Sequence, residues 1–308
     1  MEKRDFDFYD TTSLKSYNLD KAIRYQLNLL DTLDVFTRKH CENVANITCR
    51  LCEYLHCNKG FTIYCTTSAY LHDIGKLFVP YEILQKPGIL TPEERDIIKK
   101  HTVNGYNLCM KDLQLRHYAT VALNHHEALN GSGYPNGFTI KDIPLEAQIV
   151  SVADQFEAIV SKRQYKSHID ISEALKIIIN DTKPINPSSS DVHENLGKLN
   201  KFVVKKLLKV VLDDIYLEIS FTHDYVEELK NELDRFKQID KYKAKMDMAK
   251  NEKEESFYLE GIKILLKNEE TLDNYSSIHK EYEDAYIMRK AMIEKLYDEI
   301  KIIKKLRV

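Results

Sequence analysis

In the stretch "LEAQIVSVADQFEAIV", Leu145 to Val160, apolar residues recur at i, i+3 and i+4, the repeat of a single helix face, and this period returns along most of the chain. Alternation of β-branched residues, the mark of a half-buried strand, rarely lasts more than a few positions. The chain is therefore expected to be all-α. At 308 residues and 43% hydrophobic composition it exceeds one average domain, so two domains, or one domain with a long appendage, are predicted.

Helix punctuation is uneven. Gly60, Gly75, Gly88, Gly105, Gly131, Gly133 and Gly137 and five of the seven prolines fall between positions 60 and 144, which predicts short helices separated by specific turns. In "LTPEERDIIKKH", Thr91 reads as an N-cap with Pro92 at the first helical position, and His101 is expected near the C-terminal part of that helix. "TKPINPSSSDVHENLG", from Thr182 to Gly197, breaks the period and reads as a loop or linker. Beyond it only Gly261 interrupts a Lys/Glu-rich sequence in which Val226, Leu229, Leu233 and Phe236, then Ile293, Leu296, Ile300 and Ile303, repeat at 3, 4, 3 spacing. The expected organisation is a domain over 1–181, a linker over 182–197, and an amphipathic helical extension over 198–308 suited to a homodimer or protein contact.

A net charge of −3 with a pI near 6.4 excludes a global basic field, and with it a nucleic-acid polymer as partner. No apolar leader opens the sequence and no run of about 18 uncharged apolar residues occurs, so a cytoplasmic protein without membrane contact is expected. Cys41, Cys49, Cys52, Cys57, Cys65 and Cys109 include one C-x-x-C but no second pair, which predicts reduced, largely buried thiols rather than a zinc or redox site.

The chemistry-bearing residues are His40, the pair His72–Asp73, His101, the pair His125–His126, and Asp154. Taken singly, each has an ordinary explanation as a core or surface group. Together they offer imidazole nitrogen and carboxylate oxygen, a donor mixture that suits iron, manganese, nickel or zinc. Adjacent helical residues project about 100° apart, so His72 and Asp73 cannot serve one ion from one direction, but they can reach a space shared by two.

Three stretches, "LHDIGKLFVP" (71–80), "HHEALNGSGYPNG" (125–137) and "IPLEAQIVSVADQFEAIVSKRQYK" (143–166), closely resemble the HD-GYP family of HD-domain metal-dependent phosphohydrolases. The resemblance covers about positions 20 to 170 and implies an all-α HD-domain helical bundle that hydrolyses cyclic dinucleotides, principally cyclic di-GMP. It makes His40, His72, Asp73, His101, His125, His126 and Asp154 ligands of two divalent transition-metal ions, iron or manganese first and nickel or zinc as alternatives, with Asp73 shared. Phe36 stands where members with a third ion carry a glutamate, so a two-metal site is expected. Such a pair lowers the pKa of bridging water, giving hydroxide as nucleophile beside Asp73, and neutralises phosphoryl charge.

Lys76, one turn after His72, is expected to hold a phosphate oxygen, making Asp73 and Lys76 the catalytic pair. Gly133, Tyr134 and Pro135 should wall the substrate pocket, with Tyr134 either stacking on a base or filling a gap. Arg163 and Lys166, by resemblance, contact substrate phosphates. Glu127, Asn130 and Glu157 are expected to orient ligand histidines, and because Asn130 and Glu157, like Asn43 and Gln148, depart from the usual family residues, they leave metal preference and the choice of cyclic dinucleotide open. Two other readings stand beside this one: a non-catalytic cyclic-dinucleotide receptor signalling through its tail, and an HD-type nucleotide phosphohydrolase.

Overall fold

The computed structural model describes residues 29, 33–161, 170–267 and 270–308. Among them every regular element is a helix: α1 (Val35–Tyr54), α2 (Lys59–Leu71), α3 (Tyr81–Leu84), α4 (Pro92–Lys99), α5 (His101–Lys111), α6 (Ala119–Asn124), α7 (Leu145–Val160), α8 (Ile171–Asn180), α9 (Val192–Asn195), α10 (Lys201–Asp247), α11 (Glu252–Leu265) and α12 (Tyr275–Ile303), with 3-10 turns at Ile74–Phe78 and Arg116–Tyr118. No helix among the described residues is long and apolar enough to cross a membrane.

The helix starts follow from local side chains. Asp34 accepts from the amides of Phe36 and Thr37 at 3.1 Å and opens α1, and Asn58 accepts from Phe61 at 2.9 Å and opens α2. At α4, Thr91 and Glu94 form a reciprocal capping box behind Pro92, as the sequence indicates. His101 lies differently from expectation. The chain breaks at Lys100 and His101 becomes the first residue of α5, so its ring leaves the start of a new helix rather than the end of α4.

Two compact units result: one runs to Leu212 and includes Ile302–Val308, the other is Asp213–Lys301. In the first, α1 packs on α2 and α7, α5 packs on α6 and on the 3-10 turn Ile74–Phe78, and α8 packs on α7. Its core includes Cys41, Val44 and Leu51 of α1, Leu71 of α2, Ile149 and Val152 of α7, and Leu175 and Ile178 of α8, all fully buried. The division falls later than the 197/198 boundary read from the sequence, because the first turns of α10 bury Val203, Val204, Leu207, Val210 and Val211 in the first unit. The segment 182–197 is mostly turns around the single-turn α9, and its end is tied back by Lys198 N donating to Asp181 O at 2.7 Å. In the second unit, Phe236, Ile239, Ile262 and Tyr275 form the core. The six cysteines are reduced, five of them buried.

Candidate metal centre

α1 carries His40, the end of α2 carries His72 and Asp73, α5 begins with His101, the end of α6 carries His125 and His126, and α7 carries Asp154. Their ligand atoms converge. Asp73, His101, His125 and His126 offer atoms within 4.8 Å of one another, as do His40, His72 and Asp73, and also His72, His125 and Asp154. Asp73 belongs to two of these groups, with Oδ1 at 3.3 Å from His101 Nε2 and Oδ2 at 3.5 Å from His40 Nε2 and 3.4 Å from His72 Nε2. Asp154 Oδ1 lies 3.0 Å from His40 Nε2.

Glycine permits this convergence. A Cβ on Gly75 would run into the backbone of His101 and Gly105, so only glycine lets the turn after Asp73 lie directly against the start of α5. A Cβ on Gly133 would collide with the backbone of His126, Glu127 and Ala128, so the loop folds back onto the paired histidines only at a glycine.

Outer partners set the tautomers. Nδ1 of His72 donates to Ala69 O at 2.6 Å, Nδ1 of His101 to Ile98 O at 2.6 Å, and Nδ1 of His125 to Ala122 O at 3.1 Å. Each neutral ring then presents a bare Nε2 lone pair to the centre, the state a metal needs. Two such lone pairs, on His101 and His125, face each other at 3.2 Å, while His72 Nε2 and Asp73 Oδ1 are buried without a hydrogen-bond partner. Neutral acceptors held this close are relieved by a cation between them, so the donor set fits divalent ions with nitrogen and oxygen preference.

The titration behaviour has the same origin. Burial pushes the pKa of His125 well down and that of His126 to about 4, with the neighbouring imidazoles adding to the effect. Burial also lowers His101. At His40 burial opposes charge, but hydrogen bonds to Asp154 and Glu157 outweigh it and raise the pKa to about 9. Burial likewise disfavours the Asp73 carboxylate, yet Lys76 and the surrounding imidazoles hold its pKa well below the usual range.

The remaining expected residues fall into distinct places. Lys76 ion-pairs with Asp73 Oδ2, so its ammonium sits against the cage. Tyr134 stacks on the His126 ring with centroids 4.8 Å apart, and its amide donates to His126 O at 3.1 Å; Lys99 Nζ lies 5.7 Å from its ring centre. Glu157 lies against His40, its Oε2 2.5 Å from Nδ1. Glu127 and Asn130 are placed otherwise. Glu127 accepts from the amides of Asn136 at 2.7 Å and Phe138 at 3.0 Å, and Asn130 Oδ1 accepts from Ser132 Oγ at 2.7 Å, so both shape the loop rather than orient a ligand histidine. Gly133 and Pro135 sit in that loop beside His126. Arg163 and Lys166 lie outside the described residues.

Two further contributors stand outside the expected site residues: Asn43 is marked in the sequence only as a departure from the family pattern, and His193 not at all. Asn43, one turn after His40, donates from Nδ2 to Glu157 Oε1 at 2.8 Å and steadies that carboxylate. His193, far away in the chain, donates from Nδ1 to Asn130 O at 2.6 Å.

The HD-domain profile matches residues 24–187, and the chain belongs to the HD-domain family. Among curated relatives it is 43% identical over 157 residues to a cyclic di-GMP phosphodiesterase of Thermotoga maritima, covering 49% of this chain and 42% of that protein. It is 34% identical over 155 residues to the 3'3'-cGAMP-specific phosphodiesterase 1 of Vibrio cholerae, covering 49% of this chain and 35% of that protein. The matches thus span less than half the length of either relative. Bd1817, an HDG"Y"P protein from Bdellovibrio bacteriovorus, is a structural neighbour at 22% identity with a TM-score of 0.47, covering 66% of each chain.

Proposed function

We propose that this chain is a cytoplasmic, metal-dependent phosphodiesterase that opens a cyclic dinucleotide, cyclic di-GMP first, to the linear dinucleotide and then to GMP. The observation that carries this reading is the buried cage in which His101 and His125 turn bare Nε2 atoms toward each other at 3.2 Å beside the orphaned Asp73 Oδ1. Relatives named for cyclic di-GMP and 3'3'-cGAMP support the substrate class, with the mixed guanine and adenine ring as the second candidate.

His40, His72, Asp73, His101, His125, His126 and Asp154 would hold two divalent ions, iron or manganese before nickel or zinc. When bound, such ions supply acidified water at neutral pH and offset charge on phosphoryl oxygens. The chain's own groups do the rest. Asp73, held ionised and buried, places negative charge between the two donor groups it serves. Lys76, paired to Asp73 and only 18% exposed in its side chain, sets a fixed positive charge at the edge of the cage for a phosphate oxygen. Tyr134 keeps the His126 ring in place and, with Gly133 and Pro135, walls the pocket, while Arg163 and Lys166 add phosphate contacts. The second unit, with Phe257, Ile264, Ile287 and Met288 exposed, would serve a homodimer or protein contact.

The test is direct. Purified protein loaded anaerobically with iron or manganese is given cyclic di-GMP, 3'3'-cGAMP and cyclic di-AMP, and products are resolved by chromatography. Turnover of at least one, abolished by His72→Ala, supports the reading, whereas no turnover of any of them with metal bound overturns it. Binding without turnover would instead mark a receptor.

A further inference from the structure

The loop that follows the paired histidines is held from outside by the segment that the sequence presents as a linker, 182–197, and by Lys198 directly after it. Leu129 N donates to Lys198 O at 2.9 Å, and His193 Nδ1 donates to Asn130 O at 2.6 Å. Gly131, at φ +76, leaves its Cβ position open to the His193 ring, so the imidazole lies flush on the loop backbone where any side chain would push it away. The His193 ring is itself set from below: Asp191 Oδ1 accepts from His193 N at 2.9 Å and Asn186 N donates to Glu194 O at 2.8 Å. Lys198 and Leu199 donate to Asp181 O at 2.7 and 3.1 Å, and Asn200 Nδ2 donates to Gln148 Oε1 at 2.7 Å, which pins the same segment to α8 and α7.

From inside, the loop is held by Glu127, whose carboxylate takes the amides of Asn136 and Phe138. The inner clamp belongs to the histidine-bearing chain itself. The outer clamp reaches across 63 positions, at a point where the loop makes a left-handed turn and is otherwise tied only by the single antiparallel bridge between Asn130 and Thr139 and by local turn bonds.

We propose that His193 is a positioning residue: it fixes the loop carrying Tyr134 and Pro135, and so sets the tightness with which this chain holds the ring of a cyclic dinucleotide, without touching the metal cage. The kinetic part rests on the phosphodiesterase reading above; the structural part does not. A wall that drifts weakens substrate binding while the ligands of the cage, held by their own carbonyl and carboxylate partners, stay as they are.

The experiment compares wild type, His193→Ala and His193→Asn, the last placing an amide N–H where Nδ1 stands. Amide hydrogen exchange is followed by mass spectrometry on peptides covering 128–140, with 145–160 as internal control, together with metal content and KM and kcat. In His193→Ala the 128–140 peptides should lose protection by about fivefold, the scale of one net hydrogen bond. Peptides over 145–160 and metal content should stay unchanged, KM should rise by a similar factor, and kcat should hold within about twofold. His193→Asn should restore both protection and KM. Unchanged exchange over 128–140, or a loss spread equally over 145–160, overturns the proposal. If wild type turns over no cyclic dinucleotide, the proposed activity fails while the exchange comparison still decides the clamp.

Discussion

In the first compact unit His72 Nε2 and Asp73 Oδ1 are buried with no hydrogen-bond partner and imidazole lone pairs face each other. In the second unit a comparable concentration of charge is closed on itself. Arg235 makes a bidentate pair with Glu270 at 2.6 and 2.7 Å, donates to Leu265 O at 2.7 Å, and shares Glu232 with Lys267. Arg235 spends its fork on internal acceptors, which joins helix to loop and leaves little to offer a ligand. Polar networks thus mean different things according to their satisfaction: a completed, part-buried one is architecture, and an incomplete, buried one surrounded by metal-type donors is open to a ligand.

That contrast can be broken most severely at Asp73. Asp73→Ala removes a donor from two ligand groups and should take both metal content, by elemental analysis, and turnover below detection while the protein stays folded. The matching change in the other unit, Arg235→Ala, strands the part-buried Glu270 and should destabilise that unit by about 1 to 2 kcal/mol in chemical denaturation, leaving metal content intact. If Arg235→Ala changed metal content and Asp73→Ala did not, the two networks would have been assigned the wrong way round.

Glu157→Gln sharpens the comparison, because it alters a group that completes the cage from outside. Metal affinity should fall about 10 to 100-fold by competition with a chelator, with the ligand set unchanged. The pH response of the metal-free protein follows from His40. Its folded pKa of about 9 exceeds the ordinary 6.5, so the stabilising charge is fully present below pH 6.5 and lost as pH rises through about 9. Thermal melts of the chelated protein should therefore drop by a few degrees across that window, while metal uptake, which needs the neutral ring, strengthens. The smallest effect belongs to Tyr134. Tyr134→Phe keeps the stack on His126 and should leave activity within about twofold, whereas Tyr134→Ala loses a contact of about 1 kcal/mol and should weaken metal retention measurably.

The helical class and the seven cage residues were legible because both are written in residue type: a 3.6 period for the fold, and scarce His and Asp pairs for the site. What was not legible depends on distance across the chain. Nothing in "RDIIKKHTVNGY" announces that the helix breaks at Lys100 and restarts at His101, since neither Pro nor Gly stands at the junction of the two lysines and the histidine. Asn43 and Glu157 read as departures from a pattern, yet in space they meet and together support His40. Glu127, beside the paired histidines, and Asn130, a departure from the usual family residue, both face the loop. His193 sat in a segment whose Pro and Ser content signalled turns and concealed its contact with Asn130.

Three of the cage imidazoles take their orientation from main-chain carbonyls at Ala69, Ile98 and Ala122, which no codon change can delete. His40 alone leans on a carboxylate side chain. Drift in sequence can therefore reach the electronic character of this centre mainly through position 157 and its companion at 43, so divergence in ion preference among relatives of this chain should be sought there before it is sought in the donors themselves.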